Sequence, residues 1–169
     1  QQSASANYGG IGAVIAHEIS HAFDNNGAQF DETGSLSNWW TEEDLAHFNS
    51  LADKMIKLWD GMPFGDGKIN GTLTVSENIA DAGGLSCALE AAQALPDADL
   101  EDFFFNWARV WCHKARPEYI NLLLNIDVHS PGELRANMAP KNLAAFYETF
   151  GIEPGDAMYL APEERVTIW

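Results

Sequence analysis

His17, Glu18 and His21 form an H-E-x-x-H stretch. On a helix, residues four apart lie about 40° apart around the axis, one turn above the other. Two imidazoles placed this way can bind one tetrahedral zinc, and the glutamate beside the first can take a proton from a water on the metal. That is hydrolytic chemistry, and it requires a third protein ligand. The best candidate is Glu77 in Ser76-Glu77-Asn78-Ile79-Ala80-Asp81, with Asp81 one turn later on the same face. Zinc-bound histidines usually donate their other N–H to a carboxylate or carbonyl, which fixes the ring. Asp81 can do that for one histidine, and Asp24, three residues past His21, can also stand behind the ligands. Acidic residues near a helix start are favoured by the helix dipole alone, so Glu77 and Asp81 carry weight only beside the first motif.

These residues need helices to position them. Ile11, Val14, Ile15, Ile19, Ala22 and Phe23 recur at helical spacing around the histidine pair. Gly9, Gly10 and Gly12 are poor helix formers, so the helix either packs backbone-close there or starts nearer Ile11. Asn25-Asn26-Gly27 predicts a left-handed stop. Ala28-Gln29-Phe30 allows a short extended piece in the following loop. Thr41, with Asp44 three residues on, predicts an N-cap. Leu45, Phe48, Leu51, Ala52, Met55, Ile56 and Trp59 form the stripe of the helix that follows, and the stripe reads as core. Residues 61–71 are glycine-rich loop. Further helices are predicted over 75–95, 99–115, 118–127 and 140–150, with His129-Ser130-Pro131-Gly132 as a break. The fold class is mainly α, a helical bundle with little strand.

The chain has 169 residues, enough for one domain. It carries 9 Lys+Arg against 25 Asp+Glu, a formal net charge of −16. That excludes the basic patches that nucleic acid or anionic membranes require, and fits cationic peptide substrates. No stretch approaches the roughly 18 apolar residues of a membrane span, so no membrane contact is expected. Cys87 and Cys112 form no C-x-x-C pair. They read as small buried thiols rather than zinc ligands, and a disulfide between them stays open.

The spaced residues together resemble a known family. Asn7-Tyr8-Gly9-Gly10-Ile11-Gly12 precedes His17-Glu18-x-x-His21-Ala22-Phe23-Asp24, and Glu77-Asn78-Ile79-Ala80-Asp81-x-Gly83-Gly84 follows. Later come Trp107-Ala108-x-x-Trp111, Arg116-Pro117-Glu118-Tyr119, Asp127-Val128-His129-Ser130-Pro131, Arg135-x-Asn137 and Arg165-x-x-Ile168-Trp169. In this order, over essentially the whole chain, they resemble the neprilysin family of zinc endopeptidases, peptidase family M13. The resemblance implies a zincin-like (gluzincin) catalytic subdomain with one Zn2+ per chain, acting on oligopeptides. It implies His17, His21 and Glu77 as zinc ligands and Glu18 as general base. Asp81 and Asp24 would orient the ligands. His129, steadied by Asp127, would donate to the oxyanion, and Arg135 would bind a substrate carbonyl or carboxylate. Val14 and Trp111 would line the pocket after the scissile bond, which implies cleavage on the amino side of large apolar residues.

The chain also departs from the family pattern. Only residues 1–7 precede the first helix motif, where family members carry a substrate-binding edge strand and a helical N-terminal lobe. The sequence therefore reads as a single domain, residues 1–169, forming the C-terminal catalytic portion of a larger peptidase whose N-terminal portion is its partner. Val166 stands where animal members often have a cysteine, which leans toward a bacterial, cytoplasmic enzyme. The alternative is a secreted or cell-surface protein whose targeting segment lies outside this sequence. A competing function is a zinc-binding but catalytically silent module. Glu18 argues against it, because a structural zinc site has no use for a base beside an open position.

Overall fold

The computed structural model describes residues 2–168. Helix α1 (Ala4–Asn7) is capped by Ser3, whose Oγ accepts the Ala6 N–H. It continues through a π-helical turn, Tyr8–Gly12, into α2 (Ala13–Ser20). The glycines therefore lie inside the helical run, and the start near Ile11 is not what forms. Close packing is the reason: a Cβ on Gly9 would stand 2.0 Å from the Phe103 carbonyl oxygen.

Helix α2 ends differently from the left-handed stop predicted at residues 25–27. It tightens into a 3-10 turn, His21–Phe23, and the backbone becomes extended at Asp24. None of Asn25, Asn26 and Gly27 has a positive φ. Instead the Asp24 Oδ1 accepts the N–H groups of Asn26 and Gly27 at 2.7 and 2.8 Å. The expected extended piece is a 3-10 turn, Gly27–Gln29, followed by a bridge from Phe30 to Leu36.

Helix α3 (Glu42–Trp59) starts at Thr41, whose Oγ1 accepts the Asp44 N–H, as predicted. It buries Phe48, Ala52, Met55 and Trp59. The glycine-rich loop holds a small antiparallel hairpin, β1 (Pro63–Phe64) with β2 (Gly67–Lys68), pairing Pro63 with Lys68 and Phe64 with Gly67. Helix α4 (Gly71–Gln93) is capped by Asn70. Helix α5 (Leu100–Val110) ends earlier than predicted, and α6 (Pro117–Ile126) starts on its proline, whose missing N–H costs nothing there. A helix that the sequence reading missed, α7 (Gly132–Met138), follows the break. The segment predicted over 140–150 divides into a 3-10 turn, Pro140–Asn142, and α8 (Ala144–Phe150).

Helix α4 is apolar on several faces, as a central helix must be. Its first half supplies Val75 and Ile79 to a cluster with Phe48, Met55, Trp59, Ile69, Met138 and Val166. Its second half supplies Leu85, Ala88, Leu89 and Ala92 to another cluster with Ala13, Phe103, Phe104, Trp107 and Phe146. Helix α2 packs on α4 through small and polar residues, Ala13, His17 and Ser20. Its large apolar side chains point the other way: Ile11, Ile15, Ile19 and Phe23 are 60%, 55%, 64% and 46% exposed.

Cys87 and Cys112 are free and exposed, not the buried thiols expected. Cys87 lies on the solvent-facing side of α4, and the early end of α5 leaves Cys112 in a loop. Among the described residues, no helix is long and apolar enough to cross a membrane.

Candidate metal centre

Helices α2 and α4 meet at Gly84. A Cβ there would stand 2.4 Å from the His17 backbone nitrogen, so only glycine lets the two backbones come this close. The approach sets the buried His17 between two residues of α4, Glu77 and Asp81. His21 lies one turn beyond His17, at the start of the 3-10 turn, and the i, i+4 relation survives the change in helix type.

Three donor atoms converge. The Nε2 atoms of His17 and His21 are 3.1 Å apart. Glu77 Oε2 lies 3.2 Å from the first and 3.4 Å from the second. Tetrahedral zinc with bonds of about 2.0–2.2 Å holds its ligand atoms about 3.3–3.6 Å apart, so this spacing comes within about 0.2 Å of what the ion needs. Glu77 Oε2 is also buried without a hydrogen-bond partner, a costly arrangement unless a cation satisfies it. Two imidazoles and a carboxylate make a donor set suited to zinc.

Behind the ligands stand the two predicted aspartates. His21 Nδ1 donates to Asp24 Oδ2 at 2.7 Å, which leaves its Nε2 lone pair facing the centre. His17 Nδ1 lies 2.9 Å from Asp81 Oδ1, close but off the line of a hydrogen bond. Arg135, on α7, donates from Nε and Nη2 to the two Asp81 oxygens, both at 2.7 Å. Its guanidinium lies 3.7 Å over the Trp111 ring, which holds it flat. Burial opposes charge on His17, but Asp81 and Glu77 beside it outweigh burial and raise its pKa to about 9. Burial likewise pushes Asp24 and Asp81 up. Their neighbours win: Ser76 and His21 beside Asp24, and His17 and Arg135 beside Asp81, hold both below the usual carboxylate value.

The loop between α6 and α7 brings in His129. Its Nε2 is 3.2 Å from Glu77 Oε2. Asp127 Oδ1 accepts both the His129 backbone N–H at 3.0 Å and Nδ1–H at 2.8 Å. Both ring nitrogens thus lie beside carboxylate oxygens, but only the Nδ1 contact to Asp127 is a hydrogen bond. Glu18 is exposed on α2, next to His17. A cavity of about 370 Å³ opens beside the centre, lined by Trp111, Asp127, His129 and Arg135 and by Phe64, Ile69, Leu123 and Leu124. Val14, half-buried on α2, is not among its lining residues. The structure therefore gathers His17, His21, Glu77, Asp24, Asp81, Asp127, His129 and Arg135, with Trp111 against the last, and leaves Val14 apart from this cavity.

Sequence reasoning missed Ser76, whose Oγ–H donates to Asp24 Oδ2 at 2.5 Å. This bond ties α4 to the end of the histidine helix, and nothing in the residue type announces it.

The sequence profile of peptidase family M13 matches residues 1–166. The chain belongs to peptidase family M13. Among M13 relatives it is 56% identical over 169 residues to the neutral endopeptidase of Lactococcus lactis subsp. lactis, covering all of this chain and 27% of that protein. It is 40% identical over 185 residues to human neprilysin, covering all of this chain and 24% of that protein. The crystal structure of PEPO from Lactobacillus rhamnosis superimposes with a TM-score of 0.96 at 47% identity, over 100% of this chain and 27% of that one. The Mycobacterium tuberculosis zinc metalloprotease ZMP1, in complex with inhibitor, does so at 0.93 and 39%, over 99% and 28%. The fold is thus that of M13 zinc metalloproteases, and the chain spans about a quarter of the length of the curated relatives it matches.

Proposed function

We propose that this chain is the C-terminal catalytic portion of a larger M13 zinc endopeptidase, with residues 1–169 forming one domain. In this reading it hydrolyses oligopeptides on the amino side of large apolar residues. The observation that carries the reading is the convergence of His17 Nε2, His21 Nε2 and Glu77 Oε2 within 4.8 Å of one another. One Zn2+ bound there supplies a Lewis acid that acidifies water and polarises a peptide carbonyl.

The protein groups do the rest. His17 and His21 would hold the ion through their Nε2 atoms, and Asp81 and Asp24 hold the two rings in orientation. Glu18 takes the proton of the attacking water and returns it to the leaving amine. His129, fixed by Asp127, donates an N–H to the oxygen on which negative charge develops. Arg135 has two nitrogens engaged by Asp81, and its remaining donors can meet a substrate carbonyl or carboxylate. Trp111 lines the cavity that would receive the apolar side chain after the scissile bond. The rest of the enzyme is the proposed partner, supplying an edge strand and a covering lobe. Bacterial relatives and the buried Val166, in place of a cysteine, support a bacterial, cytoplasmic setting.

The decisive experiment is Glu18→Gln in the full-length protein, assayed on an internally quenched peptide. The expected kcat falls by about 10²–10⁴-fold while zinc content stays near one equivalent. Equal, chelator-insensitive rates for the two proteins would overturn the reading.

A further inference from the structure

Three buried polar side chains beside the centre have no part in the chemistry above: Thr74, Asn78 and Ser130. Asn78 lies between Glu77 and Asp81 in sequence. A buried carboxamide must find both an acceptor and a donor. Here its Oδ1 accepts the Ser130 hydroxyl at 2.8 Å, and its Nδ2 donates to Thr74 Oγ1 at 3.0 Å. The Thr74 hydroxyl proton goes to the Asn70 carbonyl at 3.2 Å. Thr74 Oγ1 can therefore only accept from Asn78, which fixes the amide with its oxygen toward Ser130. The chain runs in one direction, Ser130 to Asn78 to Thr74 to the α4 N-cap.

Ser130 is the neighbour of His129. The two bonds from His129 to Asp127 are internal to the loop, so they fix the ring relative to the loop but not the loop relative to α4. The Ser130–Asn78 bond makes that second connection, and it lands one residue from Glu77. We infer that Asn78 and Ser130 form a buried post that sets the distance between the His129 ring and Glu77. The post thereby sets where the His129 N–H meets the developing oxyanion. This rests on the donor role proposed for His129. Asn78 and Ser130 are positioning residues; neither touches the reacting atoms.

The test uses the full-length protein. Ser130→Ala should lower kcat about 10- to 100-fold, the scale of a small misplacement of a reacting group, with KM and zinc content unchanged. His129→Gln should lower it about 10²- to 10³-fold. In the His129→Gln background, Ser130→Ala should then have no further effect, because the post acts only through that ring. Thr74→Val cuts the same chain from its far end and should act in the same direction, a second reading should Ser130→Ala fold poorly. Equal fold-losses in both backgrounds overturn the inference, as does a folded, zinc-loaded Ser130→Ala or Thr74→Val with unchanged kcat. If His129→Gln alone leaves kcat intact, the donor role itself falls, which separates that failure from the failure of the post.

Discussion

The Asp24 carboxylate accepts four hydrogen bonds: two from backbone N–H groups after the helix, one from His21 and one from Ser76. Its position is over-determined, and so is the ring it holds. Ser76→Ala should therefore weaken zinc binding about tenfold, the lower end of what losing such an outer partner costs, with the metal-free fold intact. A competition titration with a chromophoric chelator measures it, and unchanged affinity counts against the strut. His17 gives the pH dependence. Its pKa is raised from 6.5 to about 9 by the carboxylates beside it, against the opposing effect of burial. In the metal-free protein this contributes stability that is complete below pH 6.5 and is lost as pH rises through about 9. Zinc must displace that proton, so apparent zinc affinity should keep rising up to about pH 9. A plateau already at pH 6.5 would contradict this. The lowered carboxylates, Asp24, Glu77, Asp81 and Asp127, act in the opposite sense. Their contribution is present above the ordinary carboxylate pKa and is lost as pH falls through their depressed values.

At the scale of elements, the pairing of α2 with α4 decides whether the donor atoms meet. Gly84→Ala puts a methyl group against the His17 backbone. The helices must part, and the expected result is a loss of zinc affinity larger than the loss in helix content. Metal analysis alongside far-ultraviolet circular dichroism checks it; full zinc occupancy would show that the contact can relax. Here too lies the limit of what could be read in advance. The meeting of His17, His21 and Glu77, with Asp81 behind, was legible because ligand chemistry needs those types at those spacings. The cap at Thr41 and the stripe ending at Trp59 were legible because both are local. Ser76, Asn78 and Ser130 were not, since their partners lie 52 residues away and a serine or asparagine does not signal whom it will meet. Helix α7 was missed because seven residues that begin on a glycine just after a proline carry little periodicity, and what holds it is distant in sequence: the Arg135–Asp81 pair and the burial of Met138 in the core. The stripe of α2 faces outward. Its spacing marks a helix correctly, but the side chosen by the core is the one with small residues, because the neighbouring backbone comes so near.

For the whole molecule, a zinc ion bound at this centre would be part of the stability. An ion present at about 1,000 times its dissociation constant adds about 4 kcal/mol to the folded state, which for a unit of this size raises Tm by roughly 10 °C. Chelation should reverse that shift and re-addition of zinc should restore it, as followed by calorimetry; a Tm indifferent to chelator would argue against a built metal site. The two clusters of apolar residues are gripped by opposite halves of α4; Glu77 lies within the first grip, and Asp81 and Gly84 fall between the two. The centre therefore has no framework of its own. A void cut into either cluster, far from the histidines, would let this beam shift and pull one donor out of line. Gradual loosening of the protein should then release its metal while most of the helices are still intact, making lost ion an early sign of damage elsewhere.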